Sequence, residues 1–218
     1  MTIQFTAGAP EDTYTKLNDW LPEIENCCLT NGATEGDEVN LSDAYEVKFL
    51  SISEIASGKL LDAIQGSHWR HLIMTGDGDQ LNIHGEIELD DSQKPIALHT
   101  GRGKDGLDSA FKIAEQRKNE YNVSVLRCRP LCFIGLWLHN EQEDLIMPYP
   151  PNATTLKDYE ELSVESVLEV LQPMARDLLK SVSDNLKNLN QFANIASANA
   201  GDISGDNVVR SMKGPLGS

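Results

Sequence analysis

Basic residues are scarce in this chain of 218 residues, which carries 18 lysine and arginine side chains against 34 aspartate and glutamate side chains. The formal net charge at pH 7 is −16. Nucleic acids and anionic lipid surfaces are polyanions, so both repel a chain of this charge. The composition therefore argues against direct nucleic-acid binding and against membrane attachment, and it favours a protein as the partner.

Long apolar runs and cysteines are also scarce. The longest apolar run, Leu131 to Leu138, has eight residues, whereas a membrane-spanning helix needs about 20. Neither the adjacent pair Cys27 and Cys28 nor the pair Cys128 and Cys132 has the C-x-x-C spacing of redox or zinc sites. The first residues lack the basic and apolar regions of a secretory signal. We therefore expect free thiols and a cytoplasmic location.

Catalytic and metal-binding signatures are missing as well. The chain has no G-x-S-x-G turn, no H-E-x-x-H motif and no P-loop. Six residues have side chains that can bind metals, but their spacings fit neither a zinc site nor a calcium loop: His68, His71, Asp77, Asp79, His84 and His99. His84 could instead pair across a sheet with His99. We predict no catalytic residue, no metal and no cofactor, and we expect a protein that is not an enzyme.

The hydrophobic periodicity predicts an α+β fold with a mostly antiparallel central sheet over about residues 45–147. Residues 80–89 alternate, which is typical of a strand with one buried and one solvated face. Spacings of three and four predict flanking helices at 11–28, 53–64 and 107–120, and a long amphipathic C-terminal helix over 163–195 with Ser163 as its N-cap.

These patterns divide the chain into three parts. Residues 1–150 form the α+β domain, residues 151–195 hold a proline connector and the long helix, and residues 196–218 form a flexible tail that ends in the vector-like sequence GPLGS. A helix of about 32 residues spans roughly 48 Å, which is longer than this sheet can cover. We therefore expect it to pack partly on a second copy of the chain. The candidate partner-binding residues are Trp20, Leu186, Leu189 and Phe192.

One glycine motif is typical of a phosphate site. Gly101-x-Gly103-x-x-Gly106 follows the strand PIALHT and precedes a helix, which is the order that a dinucleotide-binding loop requires. The acidic residue that such a loop needs about twenty residues further on is absent. The candidate ligand or phosphate-binding residues are Gly101, Arg102, Gly103, Lys104 and Gly106, within a basic region that also holds Lys112, Arg117, Lys118, Arg127 and Arg129. A plain strand-to-helix turn and a solvated helix face explain the same residues.

Two functions from different classes are consistent with the sequence. The favoured one is a non-enzymatic, acidic protein-interaction or regulatory module that self-associates, because it accounts for the charge, the missing catalytic motifs and the long helix. The alternative is a small-ligand or nucleotide-dependent enzyme that uses the Gly101–Gly106 loop and the adjacent basic residues. An acidic surface that imitates nucleic acid is a third possibility.

Overall fold

The computed structural model describes residues 4–5, 18–42, 44–76, 82–90, 92, 94–100, 103–117 and 119–201. For residues 4, 5, 18, 103–105 and 190–201 it describes the backbone alone. The chain divides into two compact units, Met1–Arg176 and Asp177–Ser218.

The fold is α+β, as predicted, with one large, mostly antiparallel sheet and a long C-terminal helix. Within the described residues the strands are β1 Gln4–Phe5, β2 Val39–Leu41, β3 Tyr45–Leu50, β4 Ile64–Thr75, β5 Asn82–Leu89, β6 Pro95–His99, β7 Asn122–Cys128, β8 Phe133–His139, β9 Asp144–Pro148 and β10 Leu162–Ser163. The α-helices in the same ranges are α1 Leu21–Thr30, α2 Ile52–Ala56, α3 Gly103–Glu115 and α4 Val164–Gly201.

The main path of the sheet has the order β10-β9-β8-β7-β3-β4-β5-β6. Beside this path, β1 pairs with β7 and β2 pairs with β4. Strand β7 pairs in parallel with β3 and with β1, and the other pairings of the described strands are antiparallel. The parallel pair β3 and β7 is separated in the chain by three strands and α3, because a parallel connection needs a long crossover. Strands β7, β3 and β4 therefore form the middle of the sheet.

Helix α3 covers one face of the sheet. Its residues Leu107, Ala110 and Ala114 recur at spacings of three and four and are buried. They pack in one core with side chains of the middle strands, namely Val47, Leu72, Val123, Val125 and Leu136. We call this side of the sheet the α3 face.

The bounds of α3 differ from the predicted 107–120. The helix begins at Gly103, so Gly103 to Gly106 form its first turn rather than a loop. It ends at Glu115, because the next two amides, of Gln116 and Arg117, donate to carbonyls three residues back and close a turn. Glycine-rich sequence indicated a loop here, but packing of the following apolar residues carries the helix through it.

Helix α1 covers part of the opposite face. Ile24, Cys27 and Cys28 are buried and pack with three residues of the sheet, Ile73, Ile87 and Leu89. The helix stops at Thr30, where Asn31 caps it and Gly32 takes a φ of +101°, as the Asn-Gly stop signal predicted. Of the predicted helix 11–28, residues 11–17 lie outside the described residues.

The predicted solvated face of β5 is wrong. The alternation holds from Glu86 to Leu89, but a register shift in the β4–β5 pairing breaks it between Ile83 and Gly85. Ile83 therefore packs in the core of the α3 face, whereas Ile87 and Leu89 pack against α1. His84 and Glu88, which were both predicted to be solvated, are buried. Burial depends on partners elsewhere in the chain. Here Glu88 is covered by ion-pair partners from β4 and β6, which are given below.

The predicted helix over 53–64 is also largely wrong. Helix α2 has five residues and ends at Ala56, and Gly58 follows with a φ of +95° that favours glycine. Residues Leu61–Ala63 then form a 3-10 turn. Strand β4 begins directly after it at Ile64 and has 12 residues.

The long C-terminal helix begins as predicted. The Ser166 amide donates to Ser163 Oγ at 3.2 Å, so Ser163 caps its first turn. In the first unit, Val167, Leu171 and Ala175 of α4 are buried, and Arg176 Nε donates to the Ala56 carbonyl at 2.8 Å. Among the helices that the structure describes, none is long and apolar enough to cross a membrane.

The first testable prediction concerns Gly106, where α3 meets the segment after β9. A Cβ atom at this position would lie 2.0 Å from the Pro150 carbonyl oxygen, a backbone atom that cannot move independently. Alanine normally stabilises a helix relative to glycine, but here we expect Gly106→Ala to lower the free energy of unfolding by about 1–3 kcal/mol. Urea unfolding measures this change.

Gly66 provides the matched control. No atom lies within 4 Å of a Cβ built on this strand residue, so Gly66→Ala should leave the free energy of unfolding unchanged or slightly higher. If Gly106→Ala is as stable as Gly66→Ala, α3 does not contact Pro150 as closely as the structure shows.

Candidate functional site

A cavity of about 710 Å³ opens on the α3 face of the sheet. Strand residues form its floor, including Tyr45, Arg70, Glu86 and Arg127. These residues share a face because Tyr45 stands opposite Arg70, and Glu86 opposite His99, in the strand registers. Residues of 129–134 and 149–158 form the walls. This volume lies within the range typical of small-molecule sites.

A buried cluster of charged and polar side chains lies at one side of the cavity. Arg70 Nη1 donates to Glu86 Oε2 at 2.7 Å, and Arg70 Nη2 donates to Glu88 Oε2 at 2.5 Å. His99 Nε2 lies 2.5 Å from Glu88 Oε2, and His68 Nδ1 contacts Glu88 Oε1. We call Arg70, Glu86, Glu88, His68 and His99 the Glu88 cluster. It joins three adjacent strands through side chains.

The environment of Glu88 keeps its carboxylate ionised. Burial alone would raise its pKa, but the hydrogen bond from His68, the charge of Arg70 and the contacts with His99 outweigh burial and lower the pKa to about 2. Buried charges are tolerated only when they are paired in this way. Glu88 therefore carries a permanent negative charge that holds Arg70 in place.

Two further arginines line the cavity without such partners. Arg127 is half-buried on β7, and Arg129 follows it in the Arg129–Leu131 turn with its guanidinium 5.0 Å from the Phe49 ring centre. In the part of the chain that the structure describes, neither arginine has a salt bridge to a carboxylate. Burial and then the charges of Arg70 and Arg129 lower the pKa of Arg127. The charge of Arg127 is therefore less favourable than that of a solvated arginine, although the Glu86 carboxylate partly offsets this effect.

The predicted glycine motif lies beside this cavity. Gly101 and Arg102 are outside the described residues, and Gly103 and Lys104 are described only as backbone in the first turn of α3. Gly106 is buried against Pro150, a residue of the cavity wall. Strands β6 and β7, which α3 connects, are not neighbours in the sheet. The connection thus differs from the parallel βαβ unit of a dinucleotide-binding fold.

Of the predicted metal-binding residues, His68 and His99 both contact Glu88, but among the described residues no group of three or more such side chains is arranged to hold an ion. The pairing suggested for His84 and His99 is wrong. His84 is buried and contacts Thr75 Oγ1 at 2.7 Å, whereas His99 contacts Glu88. A register shift in the β4–β5 pairing next to His84 separates them. Asp77 and Asp79 lie outside the described residues.

The predicted partner-binding residues fall in two places. Trp20 is partly buried and packs against the core beneath α1. In the second unit, Leu186 and Leu189 of α4 are 56% and 63% exposed, and Leu179 and Val182 are 36% and 48% exposed. We call Leu179, Val182, Leu186 and Leu189 the α4 stripe. The side chain of Phe192 lies outside the described residues.

Sequence patterns missed the cavity because its residues are far apart in the chain. Arg70 and Glu86 are 16 positions apart and meet only through strand pairing. Arg127 and Arg129 were visible as part of a basic region, but their lack of carboxylate partners depends on the sheet register. An arginine within a β-strand pattern, such as Arg70 in HWRHLIMT, was the one available signal.

The second testable prediction concerns Glu88. Glu88→Gln leaves the buried Arg70 with one carboxylate, so we expect the free energy of unfolding at pH 7 to fall by about 3 kcal/mol. The pKa of Glu88 is about 2 in the folded protein, against an ordinary value of 4.5, so its ionisation stabilises the fold above about pH 4.5, and this contribution disappears as the pH falls towards 2. The variant should lack this acid-dependent loss in urea unfolding between these values.

Glu141 allows a matched control, since it is exposed and lies outside the cluster. Glu141→Gln should reproduce both the stability and the acid profile of the parent protein. An unchanged acid profile in Glu88→Gln would show that Glu88 is not the group that titrates there.

No family model, curated protein or solved structure matches this chain. The geometry of the cavity and of the α4 stripe is therefore the basis for assigning a function.

Proposed function

We propose that this protein is a non-enzymatic interaction module that self-associates through the α4 stripe. The observation that carries the proposal is the stripe itself. Its four large apolar residues are separated by three, four and three positions, and all four are substantially exposed. This is the a/d spacing of helices that pair with another helix. A second copy of the chain presents the same stripe and is the occupant that we propose.

The distribution of charge supports pairing of two copies at this segment. Residues 1–176 carry 30 acidic and 14 basic side chains, whereas residues 177–218 carry four of each. The whole net charge of −16 therefore lies in the first 176 residues. Two copies repel each other through that part of the chain, and the neutral C-terminal segment is where approach costs least.

The charges within the helix also leave the stripe free of repulsion. With Leu179 and Leu186 at positions a, and Val182 and Leu189 at positions d, the nearby charged residues fall at positions b and f: Asp177, Lys180, Asp184 and Lys187. Positions b and f point away from a helix partner. The positions e and g beside the seam hold uncharged residues, including Ser183 and Asn185.

The size of the stripe sets the expected strength. Each side chain already has part of its surface covered, so completing its burial contributes about 1 kcal/mol. Two copies bury eight side chains, and association costs several kcal/mol of rigid-body freedom. We therefore expect a weak dimer that dissociates on dilution, with a Kd on the order of 1 mM.

The third testable prediction is the loss of this dimer in a double variant. Sedimentation equilibrium from about 10 µM to about 500 µM should show the parent mass rising from 24.0 kDa towards twice that value. Leu186→Gln/Leu189→Gln should remain at the monomer mass throughout, because glutamine removes the apolar contact but keeps good helix propensity. Circular dichroism checks that helix content is retained.

The matched control is Leu21→Gln/Leu29→Gln. These leucines are also exposed on a helix, α1, at 43% and 50%, but they lie outside the stripe. This double variant should dimerise like the parent. Self-association through α4 is excluded if the parent stays monomeric over the whole range, or if both double variants behave alike.

A further inference from the structure

We propose that the cavity on the α3 face binds a small organic dianion, a phosphate monoester or a dicarboxylate, through Arg127 and Arg129. Both residues line the cavity, and neither has a salt bridge within the described residues. The planar guanidinium group matches the paired oxygens of a phosphate or carboxylate. This proposal is independent of self-association through α4.

The sheet holds the two arginines apart from the carboxylates of the cavity. In the strand registers Arg127 stands opposite Phe49 on β3 and Ile134 on β8, so its neighbours on both sides are apolar. Arg129 stacks on the Phe49 ring at 5.0 Å. Glu86 already accepts from Arg70 at 2.7 Å. The two arginines therefore have donors available for a ligand, held by a strand and by the turn that follows it.

One buried polar atom of the same floor, Arg70 Nε, lacks a hydrogen-bond partner among the described residues, and the Tyr45 hydroxyl on this floor lies beside the Glu86 carboxylate. Buried polar atoms without partners are rare in folded proteins because leaving them unpaired costs free energy. Burial, and then the Glu86 carboxylate, raise the pKa of Tyr45 well above its ordinary value, so the hydroxyl stays protonated and can donate. A polar floor beside two arginines is suited to an oxyanion.

The remaining lining restricts the ligand to a small molecule. Val47 and Val125 offer apolar surface on the floor, and Pro150 and Pro151 offer it on the wall. Asp158 also lines the cavity and would repel a second phosphate placed near it. A small ligand with two negative charges close together on an apolar body fits this arrangement, whereas a polyanion such as a nucleic acid does not.

The lowered pKa of Arg127 gives the proposal a second consequence. Burial and the two neighbouring guanidiniums outweigh the attraction of the Glu86 carboxylate, so the charge of Arg127 is less favourable than that of a solvated arginine when no ligand is bound. Replacing it with glutamine should therefore leave the ligand-free protein at least as stable as the parent, with an equal or higher Tm. If Arg127 stabilised the fold, its replacement would lower the Tm. A residue that serves binding can instead reduce the stability of the ligand-free protein.

The fourth testable prediction is measured by isothermal titration calorimetry with phenyl phosphate, phthalate and, as a neutral analogue, benzyl alcohol. We expect one of the two dianions to bind and benzyl alcohol to give no heat. Each of Arg127→Gln and Arg129→Gln should weaken binding about 10- to 100-fold, because each removes charge-assisted hydrogen bonds. Preference for phenyl phosphate or for phthalate identifies the anionic group.

Lys112→Gln is the matched control, since it removes a positive charge from the exposed side of α3. It should bind like the parent protein. Equal binding by Arg127→Gln and Arg129→Gln, or no heat from either dianion at about 10 mM ligand, would overturn the proposal. A lower Tm for Arg127→Gln would show a structural role, and Arg129→Gln, which is exposed, then decides whether the cavity binds anions.

Discussion

The charge of Arg70 is buried in the middle of a β-sheet, and the surrounding strands are arranged to neutralise it. Its guanidinium contacts Glu86 at 2.7 Å and Glu88 at 2.5 Å on the neighbouring strand. An unpaired charge at this place would cost several kcal/mol. A shift of β5 by one residue would carry both carboxylates to the other face of the sheet. The ion pairs therefore fix the register of β4 against β5, where apolar residues on both faces specify it less strongly.

The same cluster explains why the α3 face has a cavity. Helix α3 covers the apolar part of that face with Leu107, Ala110 and Ala114. An apolar helix face placed over Arg70 and Glu86 would bury their remaining polar atoms without partners, which is unfavourable. The segments 129–134 and 149–158 border this polar area instead, and Gly106 lets α3 approach Pro150 at its edge. The charged side chains of Arg70 and Glu86 thus account both for the polar cluster and for the cavity beside it.

Local hydrophobic periodicity was sufficient to predict the elements whose apolar residues pack without partners that are distant in sequence. The apolar runs of β7 and β8 and the long helix capped by Ser163 were both predicted from spacing, whereas a register shift breaks the alternation predicted for β5. Periodicity failed where partners are distant in sequence. Glu88 looked solvated because its partners His68 and Arg70 are 20 and 18 residues away, and β4 was hidden because Gly58 and the following turn break the pattern. The cavity could not be predicted for the same reason.

The positions of the unpaired arginines and of the neutral helix segment follow from different constraints. Residues 1–176 contain 30 carboxylates, so a shortage of carboxylates does not explain why Arg127 and Arg129 form no salt bridge among the described residues. The registers do explain it, because they place Phe49 and Ile134 beside Arg127. Charges on residues 177–218 cancel, although a solvent-exposed helix tolerates either sign. In this acidic protein the two arginines without a salt bridge among the described residues lie beside a cavity, and the exposed α4 stripe lies in a segment whose charges cancel. The surface suited to an anion and the surface suited to a second copy therefore belong to different parts of the chain.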